Sequence, residues 1–488
     1  MGRPASGTNP SLGPVSTPQA PQVQTRRGTE LAMLGFAAGL VTLALAISDA
    51  NQEQELTSSI LYYGAAFLAL FGLAHFAVRK WAPYADPLIL PCVALVNGLG
   101  LVMINRLDPA VIARAKELGR TPGSESAPKQ VVWMVVGLAV FIAVMWLVKD
   151  HRMLAKYGYT AGLAGLVALA LPGLLPSSLS EVNGAKIWLR LPGVGSIQPG
   201  EFAKILLLIF FAAFLVSKRD LFMAAGRRFA GMELPRARDL APLLVAWALS
   251  VGVLVLEKDL GTSLLFFGIV LVMLYIATER VAWLVIGLTF FFGGCLVAYQ
   301  LFGHVQVRVQ TWLDPFADYF GKGNQISQSL FSLGTGGLGG TGIGGGRPEL
   351  VTFSQSDFII AAIGEEFGFI GLAALLIIYL LLVMRGLRSA LAVRDTFGKL
   401  LAGGLAFAMC WQVFIVVGGV TKLIPLTGLT APFLSHGGSS LVANYALIAL
   451  LLRISDAARR PAPQTPKGPK PQQAPIAEAS TVLVERPT

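Results

Sequence analysis

Long apolar runs recur along almost the whole of this chain, and each is long enough to cross a bilayer as a helix. About twelve can be counted against the roughly 20 apolar residues that a crossing needs. They begin near Leu31, Ser58, Pro87, Val131, Tyr159, Glu201, Ala241, Leu260, Val281, Asp357, Leu400 and Ser440. No connection between them is large enough to hold a soluble domain. Backbone polar groups in lipid must be satisfied inside helices or closed barrels, and continuous rather than alternating apolar runs exclude a barrel. The expected fold is therefore an all-α polytopic membrane protein. Composition agrees: 54% of residues are hydrophobic and only 13% charged, far from a soluble globular chain.

A formal charge of +11 would suggest a nucleic-acid partner, but its placement argues otherwise. Arg26-Arg27, Arg79-Lys80, Lys149 with Arg152 and Lys156, Lys218-Arg219 with Arg227-Arg228, Arg385 with Arg388, and Arg453 with Arg459-Arg460 fall on alternate connections. That is the positive-inside pattern, and it places both termini in the cytoplasm. The basic excess then serves topology and contact with anionic membrane lipids, and no nucleic acid is expected. The acidic connection from Asp49 to Glu55 suits the outer side. Cys92, Cys295 and Cys410 fall inside apolar runs and read as small core hydrophobes. Residues 1–29 and 456–488, rich in Pro and polar residues, are expected to be disordered cytoplasmic tails.

Polar chemistry concentrates on the outer connections. The segment 302–356 is the longest, at about 55 residues, and connections of that length are usually functional or disordered. Trp312, Phe316, Tyr319, Phe320, Phe331 and Phe353 give it material to pack, and a short amphipathic helix is expected near Asn324 to Leu333. The Gly334–Gly346 stretch is expected to be a flexible hinge. Its G-x-G-x-x-G match has no preceding strand, so a nucleotide site is rejected. Ionisable residues inside apolar runs are costly and so are usually paired or functional. Glu201 and Lys204 share a helix face at i, i+3 spacing and suit pairing with each other. Glu257, Lys258 and Asp259 suit the cap of a tight helical hairpin. Glu365 and Glu366, inside a later run, are expected to line a polar cavity or bind a cation.

Several motifs in order carry a family resemblance. They are Lys186-Ile-Trp-Leu-Arg190, Gln198-Pro-Gly-Glu-Phe-Ala-Lys204, Glu257-Lys-Asp-Leu-Gly-Thr262 and Leu313-Asp-Pro-Phe-Ala-Asp318. Gln325-Ile-Ser-Gln-Ser329, Ser356-Asp-Phe-Ile359, Gly364-Glu-Glu-Phe-Gly368 and the run from Leu426 to Ser440 complete them. The chain resembles the SEDS (shape, elongation, division and sporulation) family of RodA/FtsW type, most nearly its actinobacterial RodA members. The resemblance implies a core of about ten helices over 87–455, including the outer loop 302–356, with a pair of extra crossings over 30–78. It implies a peptidoglycan glycosyltransferase of the bacterial cytoplasmic membrane, polymerising lipid II on the outer face for elongation and cell shape. It also implies a class B penicillin-binding protein as transpeptidase partner. Lys258, Gly200 and His436 stand where Pro, Ser and Tyr are common in the family.

Such a reaction joins a sugar hydroxyl to an anomeric carbon bearing a polyprenyl pyrophosphate. A base must take the hydroxyl proton, and cations must offset charge on the departing pyrophosphate. Attack opposite the leaving group inverts the anomeric centre, as in inverting glycosidases. Asp318 matches the family's essential loop carboxylate and is assigned as the base. Asp314 is its local rival and precedes Pro315, where it would shape the turn. Lys204, with Lys186 or Arg190 nearby in the sequence, is assigned to the pyrophosphate, and Glu201 would orient Lys204 or compete for a divalent cation. Asp357, Glu365 and Glu366 are secondary candidates. A divalent cation, Mg²⁺ or Mn²⁺, is compatible with the chemistry, although no ligand cluster requires one, and no catalytic histidine is indicated. An FtsW-like division polymerase and a lipid-linked precursor flippase are the rival readings.

Overall fold

The computed structural model describes residues 25–52, 58–119, 121, 124–182, 185–191, 195–218, 227–229, 232–234 and 237–461. Most of both expected tails, and Glu53 and Glu55 of the acidic connection, lie outside the described residues. Every apolar run becomes a helix. In chain order these are α1 Arg27–Asn51, α2 Ser58–Trp81, α3 Ile89–Glu117, α4 Ala127–Leu147, α5 Gly158–Leu174 and α6 Pro199–Ser217. They continue with α7 Ala237–Leu256, α8 Leu260–Thr278 and α9 Val281–Leu301. Two shorter helices follow, α10 Gly303–Leu313 and α11 Asn324–Gly336, and then α12 Ile359–Ala392, α13 Thr396–Val420 and α14 Gly438–Arg459. Among the described residues, 10 helices are long and apolar enough to cross a membrane; α5, at 17 residues, is a shorter apolar helix. With α7, of 20 residues, they account for all the expected crossings. The chain is a multi-pass, all-α membrane protein.

Burial separates the middle of the bundle from its rim. In α14 and α3, 83% and 78% of the most apolar window is buried, against 6% in α9. Val281, Val285, Leu288, Phe290, Phe292 and Leu296 on α9 are all exposed, which only a lipid surround makes tolerable. The same logic corrects the reading of the cysteines. Cys295 and Cys410 are exposed and Cys92 is partly buried, because an outward helix face in lipid is as apolar as the interior.

One end of the bundle is tied by arginine. The Arg453 guanidinium on α14 donates to the carbonyls of Trp81, Val148 and Lys149, so a single side chain caps the ends of α2 and α4. Nearby, Asp456 accepts the Tyr84 N–H at 2.8 Å, and Asp86 contacts Arg459. These contacts keep α14 helical through Arg459, into the segment expected to be tail from 456.

The opposite end carries the long connection. α11 forms where the amphipathic helix was expected and packs against α12, burying Ile326, Ser329 and Ser332. The Gly-rich segment after it is not a flexible hinge. Thr341 and Gly342 donate to the Glu365 and Glu366 carbonyls at 3.0 Å, while Phe369 and Ile370 donate to Gly337 and Leu338 at 2.9 and 3.1 Å. α12 is broken at Gly368, with φ of 66° and ψ of −170°, and the Gly-rich backbone fills that break. Glycine is required because main chain lies on main chain: a Cβ at Gly336 would stand 2.0 Å from the Gly364 carbonyl. Gly336→Ala should therefore lower the melting temperature clearly, since forced overpacking costs about 1–3 kcal/mol. Gly339→Ala, with nothing within 4 Å, should change it little. Thermal unfolding of both variants in detergent checks this.

Candidate functional site

At the loop end, helix starts and irregular chain converge on one polar centre. Pro199 and Gly200 open α6, which places Glu201 and Lys204 on a buried face. Lys204 Nζ donates to Glu201 at 3.0 Å and to Gln412 of α13 at 2.8 Å. Gln412 in turn donates to the Thr430 carbonyl at 2.9 Å. Lys204 is only 1% exposed, so the pair expected from spacing exists as a buried ion pair.

α8 starts beside it. Lys258 takes a left-handed conformation, φ 66°, and Asp259 caps the helix by accepting the Thr262 N–H at 3.0 Å. The hairpin-cap reading therefore holds. Asp259 does more than cap, because it faces Arg308 of α10 and is near enough to Glu201 to feel its charge. Burial raises the Asp259 pKa, while the Thr262 hydrogen bonds and Arg308 lower it. Arg308 also faces Asp357 and donates to the Leu426 carbonyl at 2.5 Å. Burial pushes Asp357 up to about 7, against the Ser356 hydrogen bond and Arg308, which lower it.

The floor of this centre is the segment between α13 and α14. Its irregular backbone is buried over most of Leu429 to Ser435, so carbonyls there need partners. Asn97 donates to Phe433 at 2.9 Å, Tyr379 to Pro432 at 2.6 Å, and Ser435 to Ser356 at 2.6 Å. The Gln198 N–H reaches Ser439 at 2.8 Å. The N-termini of α6, α8 and α14 thus meet around one floor, an arrangement that favours anions.

The two loop aspartates part company. Asp314 accepts the Phe316 and Ala317 N–H groups at 3.2 Å, shaping the turn that leaves α10. Asp318 is exposed, and its carboxylate accepts the Lys322 N–H at 3.0 Å. It folds over Gly321, where a Cβ would lie 2.3 Å from its oxygen. Exposed aromatic rings flank it: Phe316 is 49% and Phe320 94% accessible.

The other candidates lie apart from this centre. Lys186 leads into the hairpin formed by β1, Leu189–Leu191, and β2, Gly195–Ile197; Arg190 stands exposed on it. Neither joins the Lys204 network. Glu365 accepts the Ser332 hydroxyl at 2.5 Å and the Arg347 N–H at 2.6 Å. Glu366 forms a 2.5 Å charge contact with Arg106. Glu365 holds the end of the Gly-rich segment directly, and Glu366 does so through Arg106, which donates to the Gly346 carbonyl at 2.6 Å. Among the described residues, no three His, Cys, Asp or Glu side chains converge as metal ligands. Arg308, Asp259, Gln412 and Arg106 were not legible as site residues. A lone arginine in an amphipathic stretch gives no sign of which distant acid it will meet.

Fold and site together define a multi-pass membrane protein with a buried charged centre beneath an acidic, aromatic loop. The chain belongs to the FtsW/RodA/SpoVE family, whose model, described as a cell cycle protein, matches residues 86–460. It is 58% identical over 468 residues to the peptidoglycan glycosyltransferase RodA of Mycobacterium tuberculosis H37Rv, covering 96% of this chain and 97% of that one. It is 55% identical over 475 residues to the corresponding Mycobacterium leprae protein, covering 97% and 99%. A solved structure described as structural coordination of polymerization and crosslinking by a peptidoglycan synthase complex aligns with a TM-score of 0.59 and 28% identity. That alignment covers 77% of this chain and 99% of the other.

Two outcomes follow. Lys204→Met strands a buried carboxylate and should cost about 3–5 kcal/mol of stability. Glu201→Gln in the same chain should restore most of it, as read by thermal unfolding. Asp357 has a folded pKa raised above its ordinary value of about 4, so the stability it contributes is present below that value. The contribution is lost as pH rises through about 7. Melting temperature should therefore fall as pH rises from about 4 to about 7, and the fall should be smaller in Asp357→Asn.

Proposed function

We propose that this chain is a peptidoglycan glycosyltransferase that polymerises lipid II on the outer face of the cytoplasmic membrane, with Asp318 as general base. One observation carries the mechanism. The α10-and-turn unit that sends Arg308 into the buried centre also presents Asp318 as an exposed carboxylate among membrane-seeking aromatic rings. Asp318 takes the proton of the acceptor sugar hydroxyl as the new bond forms, and the polyprenyl pyrophosphate leaves from the opposite face with inversion. Arg308 and Lys204, together with the three helix N-termini, offset the charge that builds on the leaving group. Lys186 and Arg190 serve it from the rim, and Glu201 orients Lys204. Asp357 neutralises Arg308 when no substrate is bound. No step here runs through a metal.

The alternating basic connections support an outward-facing loop with both termini in the cytoplasm. The RodA names of the mycobacterial relatives favour elongation over division, and the synthase complex among similar structures supports a class B penicillin-binding protein as partner. One feature favours the flippase: a broken helix such as α12 is common at transport sites. Here the break is occupied by hydrogen-bonded backbone from the Gly-rich segment, which leaves no path through it.

The test is gel analysis of products from fluorescent lipid II, with purified protein and its transpeptidase partner but no other polymerase. Wild type should give a ladder of glycan strands. Asp318→Asn should lose about 10²–10⁴-fold in rate, or roughly 3–5 kcal/mol of barrier. Asp314→Asn should retain far more activity than Asp318→Asn. A ladder of equal intensity from Asp318→Asn would remove the base assignment, and no ladder from any folded form would favour translocation.

A further inference from the structure

The end of the bundle away from the acidic loop holds a cavity of about 450 Å³. It is lined by Arg26, Arg385, Arg388 and Arg459, with Ser389 and Ala392 between them. Three separate stretches bring these guanidinium groups together: the residue before α1, the last turns of α12 and the last residue of α14. The carboxylate that faces them is Asp86, fully buried. It contacts Arg459 and lies 3.9 Å from Arg385. Arg26 and Arg388 are exposed and contact no carboxylate among the described residues. The cavity therefore gathers more positive charge than its own acid balances.

Its surroundings are apolar. On α12, Met384, Leu387 and Leu391 occupy one face at i, i+3, i+7 spacing and are 49%, 38% and 82% exposed; Leu31 on α1 is 51% exposed. A ligand seated here would meet planar, fork-shaped donors at its head and hydrocarbon along its side. Guanidinium forks match phosphate oxygens in bidentate fashion. A free anion would use the forks and leave the apolar face unused. We propose that this cavity binds the phosphodiester headgroup of an anionic phospholipid, with the acyl chains lying along the Met384–Leu387–Leu391 face of α12. Basic recesses between helices at a cytoplasmic surface are suited to such headgroups. The site is remote from the glycosyl-transfer residues, so binding is read without reference to catalysis.

The experiment uses the full-length protein, delipidated in detergent, with thermal unfolding recorded against phosphatidylglycerol, phosphatidylcholine of the same acyl chains, or inorganic phosphate. Phosphatidylglycerol should raise the melting temperature, and the other two should not at equal concentration. Arg26→Gln with Arg388→Gln should weaken the lipid response by about fivefold for each arginine removed. Arg79→Gln with Lys80→Gln, basic residues outside the cavity, should leave it unchanged. If the double variant already melts low without lipid, Arg388→Gln alone carries the test, since its side chain is exposed. Equal stabilisation by phosphatidylcholine would overturn the proposal, and equal stabilisation by inorganic phosphate would reduce it to a simple anion site. An undiminished response in the arginine variants, or a matching loss in the Arg79 and Lys80 variant, would move the effect away from this cavity.

Discussion

Charge inside an apolar bundle persists only with a partner, and that constraint organises this protein. Removing an ion from water costs several kcal/mol even after relaxation, so each buried acid must find a cation or a row of donors. Glu201 meets Lys204 and Glu366 meets Arg106, while the part-buried Asp259 and Asp357 both lie in the field of Arg308. The Arg106 and Arg308 contacts join elements far apart in the chain, and the Glu201–Lys204 pair does so through Gln412. Lys204 links α6 to α13 through Gln412, and Arg308 brings the long connection down onto the floor between α13 and α14. The pairs that make the charges tolerable also assemble the site.

Backbone closeness does the rest of the assembly. The Gly-rich segment lies in the break of α12 and is held there by main-chain hydrogen bonds, the Glu365 carboxylate and Arg106, which donates to the Gly346 carbonyl. The first of the extra amino-terminal helices reaches the same place. Asn51 donates to the Ile343 carbonyl at 2.6 Å and Gln52 to Arg106 at 3.1 Å. The end of α1, outside the family-matched segment, thus braces the loop that the chemistry needs. The exposed Asp318 turn extends from this braced base.

Much of this was legible in the sequence. Apolar run length gave every crossing, because the bilayer imposes its thickness on the chain. Spacing gave the Glu201–Lys204 pair and the Asp259 cap, because both are set within one or two helical turns. The Gly334–Gly346 stretch misled for a physical reason. Glycine permits both mobility and close backbone approach, and only the neighbouring chain decides between them. Glu365 and Glu366 were recognised as costly, but their partners Ser332, Arg347 and Arg106 come from three other segments.

By itself, then, the sequence determined the membrane-spanning architecture, the family, and the short-range polar pairs, since each depends on hydrophobicity or on residues a few positions apart. The tertiary structure decided which charges meet across the bundle, that Arg308 serves Asp259 and Asp357 together, and that α12 is broken and refilled by a glycine loop. It also decided that four arginines from three distant stretches surround one cavity. Those outcomes depend on which helix faces lie against each other, and no local pattern along the chain encodes that choice.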